Sequence, residues 1–277
     1  MPLLATFAIS VFVGVIVGVL SGMLGIGGGT IIVPLLRLGY GLQAIQATAT
    51  SLFTIIPTSI AGVITHVRNR TCLVPVGLAA GLGGACTSPV GVWLASVSPS
   101  WLIMLVAAGV IVYSASRMLA KGLRKPKASV RKVDAVSQDA RGPESSDDAI
   151  SPRRRILVGA SVGLAAGVLS GYVGVGGGFI MVLLFLAYAG VSMRQASGTS
   201  LLAVAILSVP GAATQYLLGN VQVLAGLALA VGSIPGAVLG AQLARRIPDR
   251  VLRLIFGGML MLMAIMLAVN EIVSLGN

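Results

Sequence analysis

The chain has 277 residues, of which 56% are hydrophobic and only 9% charged, and its mean hydropathy is +1.00. A soluble globular domain could not bury that much apolar surface, so the composition defines a polytopic membrane protein. The net charge of +12 does not indicate nucleic acid, because ten of the 19 Lys and Arg residues fall between Lys121 and Arg155, as in a cytoplasmic loop obeying the positive-inside rule.

In chain order, apolar segments run over about residues 3–24, 28–38, 42–64, 73–95 and 101–120, then 156–173, 177–190, 195–218, 223–244 and 251–273. All are expected to be helices, giving an all-α polytopic fold. The first has no charged leading region and no clear small-residue cleavage site, so it reads as part of the mature protein rather than a signal peptide. The second segment of each half is short. As a helix it reaches only about 20 Å, against a hydrocarbon core of about 30 Å.

The two series are a duplication. Ser21-Gly22-Met23-Leu24-Gly25-Ile26-Gly27-Gly28-Gly29-Thr30 returns 149 positions later as Ser170-Gly171-Tyr172-Val173-Gly174-Val175-Gly176-Gly177-Gly178-Phe179. With the same shift and no gap, Gln46-Ala47-Thr48-Ala49-Thr50-Ser51 falls on Gln195-Ala196-Ser197-Gly198-Thr199-Ser200, and Gly109 on Gly258. Such a match over about a hundred residues is a repeated structural unit. The chain thus divides into a membrane repeat over 1–120, a linker over 121–155 and a second membrane repeat over 156–277. The linker carries five of the seven acidic residues and is expected to be flexible and cytoplasmic, without a packed core.

The basic residues choose between two topologies. If the short segments only re-enter, each half has four crossings and the halves are parallel. Arg37, Arg194, Arg245, Arg246 and Arg250 would then lie outside. If the short segments cross, each half has five, the halves are inverted, and Arg68, Arg70, Arg194, Arg245, Arg246 and Arg250 are all inside with only Arg37 outside. The positive-inside rule favours the second arrangement, which is also the inverted-repeat plan of many secondary transporters.

Two features can hold a ligand. Gly25, Gly27, Gly28, Gly29 and Thr30, with Gly174, Gly176, Gly177 and Gly178, form glycine runs that no continuous helix would tolerate. Irregular backbone at membrane depth must be buried in protein or line a cavity, and the free amides at the start of a half-helix attract anions. The plainer reading is tight helix crossing. The second feature is the polar run Gln46, Thr48, Thr50 and Ser51 with its counterpart Gln195, Ser197, Thr199 and Ser200. Its hydroxyls and amides can replace an anion's hydration shell, or simply join helices. Gly14, Gly18 and Gly22, spaced by four like Gly163, Gly167 and Gly171, read as close-packing faces.

Other chemistries find no residues. The glycine runs lack the strand and acidic partner of a dinucleotide site. Neither Asp nor Glu lies deep in a segment, so a carboxylate proton relay has no candidate, and there is no catalytic constellation, metal set or cofactor motif. Cys72 and Cys86 read as small packing residues. His66, beside Arg68 and Arg70, reads as an interfacial histidine in preference to a proton-coupling group, and the three residues could form a basic vestibule that concentrates anions.

The paired Gly-x-Gly-Gly-Gly segments, each followed by a short apolar helix and a small, hydroxyl-rich one, resemble the TauE/SafE sulfite-exporter-like permeases. The resemblance covers both halves apart from the linker, although Pro34 has no counterpart, Leu183 standing in its place. It implies a multi-pass inner-membrane transporter or facilitator of small sulfur-containing anions such as sulfite, sulfoacetate, thiosulfate or organosulfonates. It implies no nucleic acid partner beside the lipid bilayer, and leaves monomer and homodimer open. A membrane scaffold and a membrane enzyme of sulfur metabolism are the alternatives.

Overall fold

The computed structural model describes residues 3–98, 100–123, 152–173 and 177–275, and these form ten helices and no strand. They are α1 (Leu3–Leu24), α2 (Gly29–Tyr40), α3 (Ala44–Arg68), α4 (Val74–Val97), α5 (Ser100–Leu123), α6 (Pro152–Val173), α7 (Gly178–Tyr188), α8 (Met193–Leu217), α9 (Val223–Arg246) and α10 (Asp249–Leu275). Each falls on an apolar segment of the sequence, with ends moved by a few residues. The linker read over 121–155 gives residues 121–123 to α5 and 152–155 to α6. Its remaining residues, 124–151, lie outside the described residues, as do Gly174 and Gly176. Among the described residues, five helical stretches are long and apolar enough to cross a membrane: 7–24, 45–68, 154–172, 193–217 and 223–246. The protein is a multi-pass helical membrane protein.

The halves are interleaved. The first helix of each packs along the fourth helix of the other, α1 on α9 and α6 on α4, while α3 meets α8 and α5 meets α10. Exchanging the halves leaves these pairings unchanged. The close pairs depend on glycine. A Cβ at Gly14 would stand 2.5 Å from the Leu229 carbonyl oxygen, one at Gly18 2.7 Å from Ser233 Cα, and one at Gly22 2.8 Å from Ala237 Cα. Without hydrophobic drive in lipid, such backbone-to-backbone packing is what holds helices together.

The same contacts fix helix directions. Gly14, Gly18 and Gly22 meet successively later residues of α9, so α1 and α9 run parallel. Thr50 binds Gln222, Thr54 binds Gly226 and Thr58 binds Ser233, so α3 also runs parallel to α9. On the other side, Gly159 meets Val76, Gly163 meets Ala80 and Gly167 meets Gly84, so α6 runs with α4. Gly77 lies on Leu202, Gly81 on Ile206 and Gly84 on Leu207, so α4 runs with α8. Between the two groups the sense reverses. Gly198 lies on His66, Gly62 on Leu201 and Gly211 on Leu52, so α3 and α8 are antiparallel. Thus α1, α3 and α9 point one way and α4, α6 and α8 the other.

Since α1 and α3 point the same way, the chain returns between them, and α2 makes that return. Gly28 at its start lies beside Val17 and Ser21, while the Tyr40 hydroxyl at its end bonds Ser10, near the start of α1. The basic residues sort accordingly. The end of α3, the start of α8 and the α9–α10 corner meet at one end of the bundle, where Arg245 donates to Asn69 Oδ1 at 3.1 Å and Arg194 pairs with Asp249 at 3.4 Å. Arg37, in the last turn of α2, lies toward the other end.

Candidate functional site

The site is built from two helix breaks. After α1, Gly25, Gly27 and Gly28 take φ of 79°, 74° and 88°, the left-handed region open to glycine but costing other residues about 1–2 kcal/mol. The helix cannot continue, and α2 starts afresh on Gly28. In the second half Gly177, φ 61°, starts α7 in the same way. Neither half-helix has a side-chain cap, so the amides of its first turn have no intrahelical acceptor.

The breaks lie level with the midpoints of α3 and α8 and touch. Gly27 sits against Ile55 and Ser59 of α3 and Val204 of α8, near the midpoints of both helices. The Ile26 carbonyl presses on Gly178, leaving no room for a Cβ there. The 12 residues of α2 cover about 18 Å, a little over half of a core of about 30 Å. The positive ends of α2 and α7 thus come together level with the midpoints of α3 and α8. Each end is worth about +0.5 charge, and no carboxylate among the described residues lies beside them.

Around the breaks are buried hydroxyls with no hydrogen-bond partner among the described residues: Ser21, Thr30, Ser51, Ser59 and Ser208. Ser21 and Ser59 flank Gly28 and Gly27. Ser208 is one turn beyond Val204 on the same face of α8. Ser59 and Ser208 are repeat mates, 149 positions apart. A buried hydroxyl left unpaired costs about 1–3 kcal/mol, so each of these has bonding capacity that the protein itself does not use. Sequence reading passed over Ser21, Ser59 and Ser208, although their positions in the repeat were a signal.

The residues nominated from sequence divide into three groups. Gly25, Gly27, Gly28, Gly29, Thr30, Gly177 and Gly178 form the two breaks, with Ser51, Ser197 and Ser200 on the flanking helices. Ser200 donates to the Gly25 carbonyl, Ser197 donates to Met193 O at 3.0 Å, and the Ser197 backbone packs on Gly25. The second group is tied up elsewhere. Gln46 and Gln195 complete capping boxes at the starts of α3 and α8, accepting from Gln43 N at 3.4 Å and Ser192 N at 3.3 Å. Thr50 accepts from Gln222 N and Thr199 from Leu73 N, both at 3.0 Å. Each threonine thus caps the fourth helix of the opposite half. Thr48 is half-buried. Gly174 and Gly176 form the third group, outside the described residues.

His66 departs from its reading as an interfacial histidine. Its ring is fully buried, because Gly22 on one side and Gly198 on the other carry no side chains. Nε2 donates to the Gly22 carbonyl at 2.8 Å, and Nδ1 meets Thr71 Oγ1 at 2.8 Å. Cys72, in the link between α3 and α4, is a free thiol pushed up to about 11 by burial.

A bundle of interleaved, glycine-packed helices around two uncapped half-helices has the build of a membrane transport protein rather than of an enzyme. The chain belongs to the sulfite exporter TauE/SafE family, whose sequence model matches residues 10–267. It is similar to two Bacillus subtilis proteins. Identity is 28% to the probable membrane transporter protein YdhB, over 86% of this chain and 90% of the relative. It is also 28% to the probable membrane transporter protein YunE, over 97% of this chain and all of the relative. The probable membrane transporter protein MJ0441 of Methanocaldococcus jannaschii is 25% identical over 92% of each chain. No solved structure matches the chain. The protein is a membrane transporter, and its family and relatives are transporters rather than enzymes.

Proposed function

We propose that the protein carries a small sulfur-containing anion, of the sulfite, thiosulfate, sulfoacetate or organosulfonate type, across the cytoplasmic membrane. The observation that carries this reading is the meeting of two uncapped short-helix N-termini level with the midpoints of α3 and α8, ringed by unpartnered buried hydroxyls. Two positive helix ends facing each other in low dielectric repel, and an anion between them removes that repulsion. The amides of the first turns of α2 and α7 hold the anion, with Ser21, Thr30, Ser51, Ser59 and Ser208 replacing its water.

The helix directions support an inverted-topology duplication with five membrane segments per half, because each of α1, α3 and α4 runs opposite to its counterpart. Collecting Arg68, Arg70, Arg194, Arg245, Arg246 and Arg250 at one end supports assigning that end to the cytoplasm. In this scheme the halves rock about the central site to expose it to either side in turn. For an anion moving alone, an inside-negative potential favours export, by about 2.3 kcal/mol per charge per 100 mV.

Reconstituted protein tests this directly. Labelled thiosulfate, sulfite and sulfoacetate are offered to proteoliposomes of wild type, Ser59→Ala and Ser208→Ala. The reading expects flux of at least one anion. It also expects a loss of about tenfold to a hundredfold in apparent affinity in each variant, from hydrogen bonds to a charged ligand worth about 1.5–3 kcal/mol. Fold stability should hold or rise, since the removed hydroxyl has no protein partner. Absence of flux for every sulfur anion tried would sink the proposal.

A further inference from the structure

We propose that His66 is a proton-binding site linked to anion binding at the adjacent break, so that a proton and the anion travel together; this rests on the anion-transport reading above. His66 is the chain's sole histidine, and its ring is fully enclosed. It is joined to the break by one short stretch of α8. Gly198 packs on the ring, Ser197 packs on Gly25, and Ser200 donates to Gly25 O. The ring's Nε2 holds the carbonyl of Gly22, in the last turn of α1 before the break.

The hydrogen bonds around the ring suit both protonation states. A carbonyl only accepts, so Nε2 carries a proton throughout. In the neutral ring, Nδ1 accepts from the Thr71 hydroxyl. When Nδ1 gains a proton it donates to the same Thr71 oxygen at 2.8 Å, and the hydroxyl hydrogen turns to the His66 carbonyl, 3.1 Å away. Proton uptake therefore leaves no polar group unpaired.

The fold does not require an imidazole here. In the second half the equivalent positions are Gln215 and Asn220. There the same link is closed by Asn220 N on Gln215 O at 3.1 Å and by Asn220 Nδ2 on Gln215 Oε1 at 2.7 Å. Its counterpart is Thr71 N on His66 O at 2.9 Å. An amide closes the helix end as well as a ring does, and only the first half has a titratable group.

The surrounding charges leave an imidazolium unmatched. From α1 the ring meets the Gly22 backbone. On α8, Arg194 lies one turn before Gly198 and is held by Asp249. The link contributes Cys72, neutral because burial pushes its thiol up to about 11. Arg68 and Arg70 are exposed on the ring's own segment, and Arg245 of α9 donates to Asn69. No carboxylate faces the ring among the described residues. The anion at the break is then the counter-charge, and each ligand raises the affinity for the other by the same factor. One proton carried with each anion removes one unit of the charge on which the membrane potential acts.

The sole histidine makes the test direct. Full-length protein with ¹⁵N-labelled histidine, in lipid nanodiscs, gives one imidazole signal. The expected result is a cationic form that grows in as the pH is lowered. At fixed pH, saturating thiosulfate should raise the ratio of cationic to neutral ring about fivefold or more. In proteoliposomes, an inward acid gradient should accelerate thiosulfate uptake by wild type but not by His66→Gln, which keeps the amide closure of the other half. A ring that stays neutral at every pH at which the protein remains folded, or a cationic fraction indifferent to thiosulfate, overturns the proposal. So does an equal response of both proteins to the gradient, while their flux would leave the anion reading intact. Loss of all flux with the imidazolium response preserved counts against transport alone.

Discussion

The threonine pair Thr50 and Thr199 offers the clearest way to separate scaffolding from substrate binding. Each hydroxyl accepts a backbone amide at the start of the opposite half's fourth helix, Gln222 N or Leu73 N, at 3.0 Å. Thr→Val keeps the shape and removes the acceptor. Loss of a capping hydroxyl costs about 1 kcal/mol, and a buried amide left unpaired raises the cost toward 1–3. Both bonds are partly buried, so Thr50→Val and Thr199→Val should each cost about 1–2 kcal/mol. They join different helix pairs, α3 with α9 and α8 with α4, so the double variant should lose the sum, about 2–4 kcal/mol. Stability is read by steric trapping in bicelles, and KM by flux of whichever anion the wild type carries. The expected pattern is lower stability with KM changed less than threefold. Wild-type stability combined with a tenfold rise in KM would refute the clamp and return these hydroxyls to the substrate.

Three further outcomes follow from the packing and topology. Gly163→Ala puts a Cβ 2.6 Å from Ala80 Cα and should destabilise by about 1–3 kcal/mol. Gly258→Ala and Gly109→Ala meet nothing within 4 Å and should be neutral or stabilising by up to about 1 kcal/mol; thermal unfolding in detergent separates the two kinds. The Cys72 thiol, pushed up to about 11, should react slowly with maleimide at neutral pH. Its rate should climb toward pH 11, because only the thiolate attacks; rapid labelling at neutral pH would contradict its burial. A cysteine appended after Asn277 should react with impermeant reagent from outside intact cells, and labelling only from the cytoplasm would overturn five crossings per half.

Much of the architecture was readable because lipid imposes simple rules. Apolar length set the ten helices of the described residues, and the glycine run recurs in the sequence at a shift of 149 residues. The glycine runs announced the breaks, since no side chain could hold φ near 80° three times in four residues. What periodicity could not give was partner identity. Nothing in the sequence around Thr50 says that its hydroxyl reaches Gln222, because that bond spans 172 positions and exists only once α1 and α9 have interleaved. His66 looked interfacial for a related reason. Its neighbours in sequence are arginines, whereas its neighbours in space are two glycines from other helices, and only their missing side chains let the ring turn inward.

The duplication also sets a limit on what repetition can reveal. A residue retained in both halves is needed by both, and in an interleaved bundle the first common need is to hold the other half. Gln46 with Gln195 and Thr50 with Thr199 meet that need as caps and clamps, so their repetition is not evidence of a ligand. Departures from the repeat are more informative. Thr30 corresponds in the repeat to Phe179, giving one short helix a buried hydroxyl in its first turn where the other has a ring. His66 corresponds to Gln215, giving one half a titratable group where an amide suffices. A symmetric frame must hold itself together equally at both ends, so a residue that departs from the repeat is not explained by that need. The residues that break the repeat beside the glycine breaks are therefore the first places to look for what sets ligand, coupling and direction.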